Sequence, residues 1–278
     1  MKDFEKRHAK IICVDSDGTA LDTMNIKHIR CFGPCFTEEW DLGFMRDAAL
    51  ARWNAINLYE RTRGKNRFIT LLRILEEYNG KYLAADLTAL SAWVNSGKEL
   101  SGKSLKKEIA ETGADPQLCK ALAWSDAVNA EIAKLSPEEK KPFGGVEEFL
   151  AAARDLADIA VVSSAGAAAL AEEWRHYGLD GYCMVLFSQE DGTKAACLRH
   201  ILSMGYGKED VLMVGDSFPD LGAAEECGVF FYPVLAGREE ESWKQFRETY
   251  LGIFASGGYA AAADSLKDAF CRNLDIKN

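Results

Sequence analysis

The run Ile11-Ile12-Cys13-Val14-Asp15-Ser16-Asp17-Gly18-Thr19 decides how the rest of the chain is read. Four apolar residues pass directly into two carboxylates separated by one residue, followed by a Gly-Thr turn. A buried parallel strand delivers charge in this way to the carboxyl edge of a sheet. Residues two apart on an extended backbone point to the same side, so Asp15 and Asp17 are expected to crowd one pocket. A cation or a shared proton relieves such crowding, and the pair therefore predicts a metal.

Downstream, the segment from Leu21 to Gly33 reads as a loop or short turns leaving the sheet. Helical spacing then takes over, with apolar stripes at Met45/Ala49/Trp53/Ile56, at Phe68/Leu71/Leu72/Leu75/Tyr78 and at Leu87/Leu90/Trp93/Val94. Asp115-Pro116 opens a further helix, since proline at the first helical position has a preset φ and needs no donor. Ser136-Pro137-Glu138-Glu139 has the spacing of a capping box. Nothing between about Asp22 and Pro142 alternates with period two, so this stretch reads as an all-helical insertion whose Trp and Leu stripes form its own core.

Past Phe143-Gly144-Gly145 the rhythm becomes strand and helix in alternation. Strands are expected at Ile159–Val162, Tyr182–Phe187, Val211–Val214 and Val229–Val234, with helices between them, which implies right-handed βαβ units and a parallel sheet. The expected fold is α/β: a Rossmann-like parallel sheet core, residues 1–22 and 143–278, with an inserted helical cap domain, residues 23–142. The tail from Glu239 onward reads as helical with a break at Ser256-Gly257-Gly258 and carries no chemical motif.

The chain has 278 residues, is 48% hydrophobic and carries a formal charge of −10. That length and composition describe a folded protein with a large core. The acidic balance argues against nucleic acid or an anionic membrane as partner, while a metal and a few local cations leave a small phosphorylated metabolite open. Eight cysteines without CxxC or Cys/His spacing point to reduced thiols and a cytoplasmic protein, and neither a signal peptide nor a membrane span is legible. The four histidines lack ligand spacing and are expected at the surface or at caps.

Three expected strands end in polar signatures: Asp15/Asp17, Ser163-Ser164, and Asp216/Asp220. Lys194 begins a helix after a fourth. The carboxyl ends of parallel strands share one edge, so these groups can converge. Together they supply hard oxygen ligands for Mg²⁺, a carboxylate nucleophile, and a hydroxyl and an ammonium for phosphate oxygens.

In this order the residues resemble the haloacid dehalogenase superfamily of phosphohydrolases. Its DxDGT motif is matched by Asp15 to Thr19, its Ser/Thr after a strand by Ser163, its lone Lys by Lys194, and its GDSxxD by Gly215 to Asp220. The resemblance implies Asp15 as nucleophile and Asp17 as proton donor and then base. It implies Mg²⁺ held by Asp15, the Asp17 carbonyl and Asp216, with Asp220 a water-mediated ligand or a partner to Lys194. Phosphate would be held by Lys194 and by Ser163, or by its neighbour Ser164.

An acid at position 17 resembles the phosphatases and phosphomutases of the superfamily, because a proton donor is needed when an alkoxide leaves. The insertion resembles the helical cap of phosphoglycolate phosphatase and β-phosphoglucomutase. Within it, Arg61-Thr62-Arg63-Gly64-Lys65-Asn66-Arg67 resembles a loop that places an arginine on a substrate's distal anion, which makes Lys65 and Arg67 candidates; a solvated basic turn is the other reading. A Mg²⁺-dependent phosphatase is the leading expectation, with a phosphomutase or a non-enzymatic phospho-acceptor as alternatives.

Overall fold

The computed structural model describes residues 1–274, which divide into two compact units, residues 1–24 with 136–274, and residues 25–135. The first unit is built on a five-stranded parallel sheet: β1 (Ile11–Val14), β2 (Asp158–Val162), β3 (Val185–Phe187), β4 (Val211–Gly215) and β5 (Phe230–Pro233), in the order β3-β2-β1-β4-β5. The central strand is β1, and all four of its residues are fully buried. It pairs in register with β2, Ile11 opposite Asp158, and with β4, Ile11 opposite Val211.

Side chains alternate across the sheet, so each face gathers its own core. Ile12 and Val14 join Val161, Val214, Phe149, Trp174 and Trp243 on one side. Ile11 and Cys13 join Val162, Met213, Leu198, Ala224 and Phe270 on the other. The tail supplies helices to both faces, through Trp243 of Glu239–Gln245 and Phe270 of Ala260–Leu274. Residues 275–278, the end of the expected tail, lie outside the described residues.

The second unit is helical and holds a separate core of Phe36, Trp53, Phe68, Trp93, Trp124 and their neighbours. Asp115 caps the helix Pro116–Ile132, accepting from the amides of Gln117 and Leu118, with proline at the first position. Ser136 and Glu139 form the expected capping box, over a short 3-10 turn. The seven residues Ser136 to Pro142 group with the sheet unit; the sequence reading had assigned them to the insertion.

Several local expectations are corrected. The segment after Leu21 is not a loop: Thr23–Lys27, His28–Phe32 and Gly33–Glu39 are consecutive helical turns. The middle one is a wide π turn, which relieves the clash Pro34 would otherwise make with the preceding turn. The strand expected from Tyr182 begins only at Val185, because Leu179–Tyr182 is a 3-10 turn held by the Cys183 amide on the Asp180 carbonyl. His28 is buried, stacked on Phe32 and accepting from Trp53 Nε1 at 3.2 Å, so it is neither a surface nor a capping residue. All eight cysteines are free thiols. No helix among the described residues is long and apolar enough to cross a membrane.

The lower edge of the sheet is fastened by Asp158. Its carboxylate accepts from the amides of Arg7 and His8, both at 2.9 Å, from His8 Nδ1 and from Tyr206 Oη at 2.5 Å. Burial alone would raise this carboxyl, but the donors outweigh burial and hold it below its ordinary value of 3.8. A lowered carboxyl stabilises the fold above the ordinary value, and that contribution disappears as pH falls through the folded one. Asp158→Asn should therefore lower the melting temperature at neutral pH by roughly 4–8 °C. The gap to wild type should narrow in melts taken at successively lower pH from about 4 downward.

Candidate active site

The polar residues that follow β1 and β4 meet at the carboxyl edge of the sheet. Carboxylate oxygens of Asp15, Asp216 and Asp220 lie within 4.8 Å of one another, and all three residues are buried. Lys194 Nζ reaches Asp15 Oδ1 at 2.8 Å and Asp220 Oδ1 at 2.5 Å. Lys194 stands at the first position of the helix Lys194–Ser203, where a cation opposes the helix dipole. Its two carboxylate partners supply the attraction that the helix end does not.

Three carboxylates crowd around one ammonium in a buried cluster. The protonation energetics register that crowding. Burial pushes the Asp15 carboxyl well above the ordinary range; the Lys194 ammonium opposes this, and the charges of Asp220 and Asp216 reinforce it. Asp220 moves the same way, again through burial first. Burial works against the Lys194 charge, but Asp15 and Asp220 outweigh it and hold the ammonium above its ordinary value. Three buried carboxylates with oxygens this close are hard donors that fit one divalent cation such as Mg²⁺.

The grouping differs from the sequence expectation in one respect. Extended backbone stops at Val14, and residues 15–21 form a tight turn in which the amides of Thr19, Ala20 and Leu21 all point at the Ser16 carbonyl. The period-two argument fails there, and Asp17 stands outside the carboxylate trio. Its Oδ1 accepts from the Thr23 hydroxyl. The demand for a cation comes instead from Asp15 with Asp216 and Asp220, residues some two hundred positions apart.

Thr19 completes the trio, a role that sequence reasoning missed although the residue was in the quoted motif. Its buried hydroxyl lies 2.6 Å from Asp216 Oδ1 and 3.2 Å from Asp15 Oδ2. Asp220 is set by a capping box: Ser217 gives its Oδ2 both the hydroxyl, at 2.5 Å, and the amide, at 3.2 Å. With Lys194 on the other oxygen, both oxygens of Asp220 are engaged.

Ser163 follows β2, is buried, and its Oγ accepts the Ala165 amide at 3.1 Å, while Ser164 is exposed. In the helical unit, Lys65 is exposed and Arg67 is half-buried at the start of the helix Arg67–Tyr78. The Arg67 guanidinium meets only neutral groups: Asn129 Oδ1 at 2.8 Å, Ser125 Oγ at 3.2 Å and the face of Phe32 at 4.8 Å. Burial lowers its pKa from the ordinary value. Within the basic stretch Arg63 is fully buried and donates to the Leu58 carbonyl at 2.8 Å, a structural anchor. Asp22 is half-buried, and one of its carboxylate oxygens is buried without a hydrogen-bond partner among the described residues.

The sheet order, the motifs on it and the helical insertion define a hydrolase fold, and the sequence matches the model of the haloacid dehalogenase-like hydrolases over residues 9–228. The chain belongs to that family. A structure from Lactobacillus delbrueckii subsp. bulgaricus, provisionally named phosphoglycolate phosphatase, is 14% identical with a TM-score of 0.51, covering 82% of this chain and 86% of that one. A haloacid dehalogenase-like hydrolase from Streptococcus pneumoniae is 13% identical with a TM-score of 0.45, covering 81% and 83%. A subfamily IA hydrolase from Geobacter sulfurreducens is 17% identical with a TM-score of 0.40, covering 83% and 89%. No curated protein matches the sequence significantly.

Gly215 ends β4 with no side chain because the Asp220 carboxyl occupies the space a Cβ would need. Gly215→Ala should displace Asp220, weaken Mg²⁺ binding, and cost about 1–3 kcal/mol of stability in denaturant melts. Gly252→Ala, on a helix with open space around its α-carbon, should be neutral or slightly stabilising in the same melts.

Proposed function

We propose that this protein is a Mg²⁺-dependent phosphatase of small phosphorylated metabolites. The observation that carries the reading is the buried convergence of the Asp15, Asp216 and Asp220 carboxylates, with Lys194 bridging Asp15 and Asp220. Asp15 and Asp216 would hold the ion with the Asp17 carbonyl, while Asp220, its oxygens engaged by Lys194 and Ser217, contributes chiefly charge. When bound, the ion neutralises the carboxylates and draws charge from phosphoryl oxygens.

Asp15 attacks phosphorus through a carboxylate oxygen, and the bond between phosphorus and the ester oxygen breaks. Asp17, oriented by the Thr23 hydroxyl, gives the departing oxygen its proton. The resulting Asp17 carboxylate then takes a proton from water, whose oxygen attacks phosphorus and releases Asp15 and inorganic phosphate. Lys194 and the Ser163 hydroxyl hold the phosphoryl oxygens, where charge spreads in the transition state. Ser163 is preferred to Ser164 because it is the buried one that directly ends β2. The role of cap is proposed for the helical insertion from its position in the sequence directly after the first motif, a closing cap being one way to exclude bulk water.

Arg67 is a cation whose hydrogen-bond partners among the described residues are neutral, which leaves its charge available to an anion. It is assigned, with Lys65, to a second anionic group of the substrate.

Hydrolysis should be measured on a panel of phosphate monoesters with Mg²⁺. Asp15→Asn and EDTA should each lower turnover by roughly a thousandfold or more, with the fold intact by circular dichroism. Wild-type protein that binds Mg²⁺ but hydrolyses no ester refutes the reading. Arg67→Ala should raise KM by about 10–100-fold for esters bearing a second anion and leave p-nitrophenyl phosphate nearly unchanged. Equal effects on both substrates would remove Arg67 from substrate recognition.

A further inference from the structure

The seven-residue turn from Asp15 to Leu21 presents three acceptors away from the carboxylate cluster: Ser16 Oγ and the carbonyls of Thr19 and Ala20. Each is met by a different distant element. Trp174 Nε1, on the helix Ala167–His176, donates to Ser16 Oγ at 2.9 Å. Trp243 Nε1, on the helix Glu239–Gln245, donates to the Thr19 carbonyl at 2.9 Å. The Phe143 amide donates to Ala20 at 3.0 Å.

Of the chain's six tryptophans, four lie in the helical unit, and the remaining two are Trp174 and Trp243. Both tryptophans of the sheet unit thus donate to the same turn. Both rings are fully buried, Trp243 against Phe149 with centroids 5.0 Å apart. A phenylalanine would fill most of that space. What phenylalanine lacks is the indole N–H, the atom that touches the turn.

Thr19 gives this a chemical meaning. Its carbonyl is held by Trp243, while its hydroxyl spans Asp15 and Asp216. A shift of the peptide would move the hydroxyl and loosen the spacing of the two carboxylates. The same tail helix also abuts the returning linker, since a Cβ on Gly145 would stand 3.4 Å from Trp243 Cβ. Trp243 lies beyond residue 228, where the family match ends.

We propose that Trp174 and Trp243 are positioning residues for Asp15: their indole N–H groups clamp the turn so that Thr19 sets the spacing of Asp15 and Asp216. This rests on the phosphatase reading for its kinetic test and on the carboxylate geometry for its binding test.

The experiment compares Trp243→Phe and Trp174→Phe with Trp93→Phe, which removes an indole N–H that has no partner among the described residues. Hydrolysis of p-nitrophenyl phosphate and calorimetric titration with Mg²⁺ alone are measured on each folded protein. Each core variant should lose about tenfold in kcat with KM within about twofold, and bind Mg²⁺ at least about threefold more weakly, while Trp93→Phe matches wild type. In a Thr19→Val background, Trp243→Phe should cost less than about twofold, because the path through the hydroxyl is already gone.

Wild-type kcat and Mg²⁺ affinity in both core variants overturns the proposal, as do losses that multiply with Thr19→Val. Should Trp243→Phe fail to fold, Trp174→Phe with Ser16→Ala gives the equivalent cycle, and multiplying losses there also overturn it. Should wild type hydrolyse no ester, the phosphatase reading falls and the Mg²⁺ titrations alone decide the clamp. Wild type that binds no Mg²⁺ overturns both.

Discussion

The ion pair of Lys194 with Asp15 and Asp220 is the constraint from which the rest of the molecule follows. Removing one ammonium and three carboxylates from water is expensive, and the cost is tolerated only where the geometry is closely held. Parallel strands provide that, since β1 and β4 run side by side and stop at the same edge. The capping box of Ser217 and the bare α-carbon of Gly215 fix Asp220, and the hydroxyl of Thr19 spans Asp15 and Asp216. Their combined effect is a site assembled before any ligand arrives.

The supports of this site come from all along the chain. Ser16 is held from residue 174, Thr19 from residue 243, and Ala20 from residue 143. The turn carrying Asp15 is thus the place where the first strand, the return linker and the tail meet. Local rules are broken where the chemistry sits: a lysine occupies a helix N-terminus, and a carboxyl is buried with like charges beside it. Elsewhere caps and apolar stripes follow ordinary preferences, which is the pattern expected when strain is confined to function.

How much of this was legible depends on whether the signal was local. The strands β1, β2 and β4 could be read because apolar runs end abruptly in Asp or Ser, and Lys194 because it opens a helix after a strand. The pairing of Asp15 with Asp17 could not be trusted, since it assumed extended backbone where the chain turns at Ser16. The helix Gly102–Thr112 escaped notice because Leu105 is its one buried side chain and most of its stripe is charged or polar. The segment from Leu21 to Gly33 reads as a loop or short turns because it lacks an apolar stripe, and the π turn before Gly33-Pro34 carries the helix through it. Trp174 and Trp243 act across more than 150 residues, and no spacing rule announces such a bond. Their scarcity in the α/β portion was the available clue.

The interrupted sheet also has a consequence for how the chain is made. β1 is complete at Val14, but its partners end at Val162 and Gly215, on either side of it in the finished sheet. At ribosomal speeds roughly 10–40 s separate the first strand from the last of its neighbours. Meanwhile residues 25–135, with a core of their own, emerge whole and are able to collapse. A nascent chain of this protein therefore carries a folded helical body behind an unpaired, wholly apolar strand, the kind of segment that chaperones grip. Asp15, which follows that strand, is among the first residues to be synthesised and among the last to meet its partners.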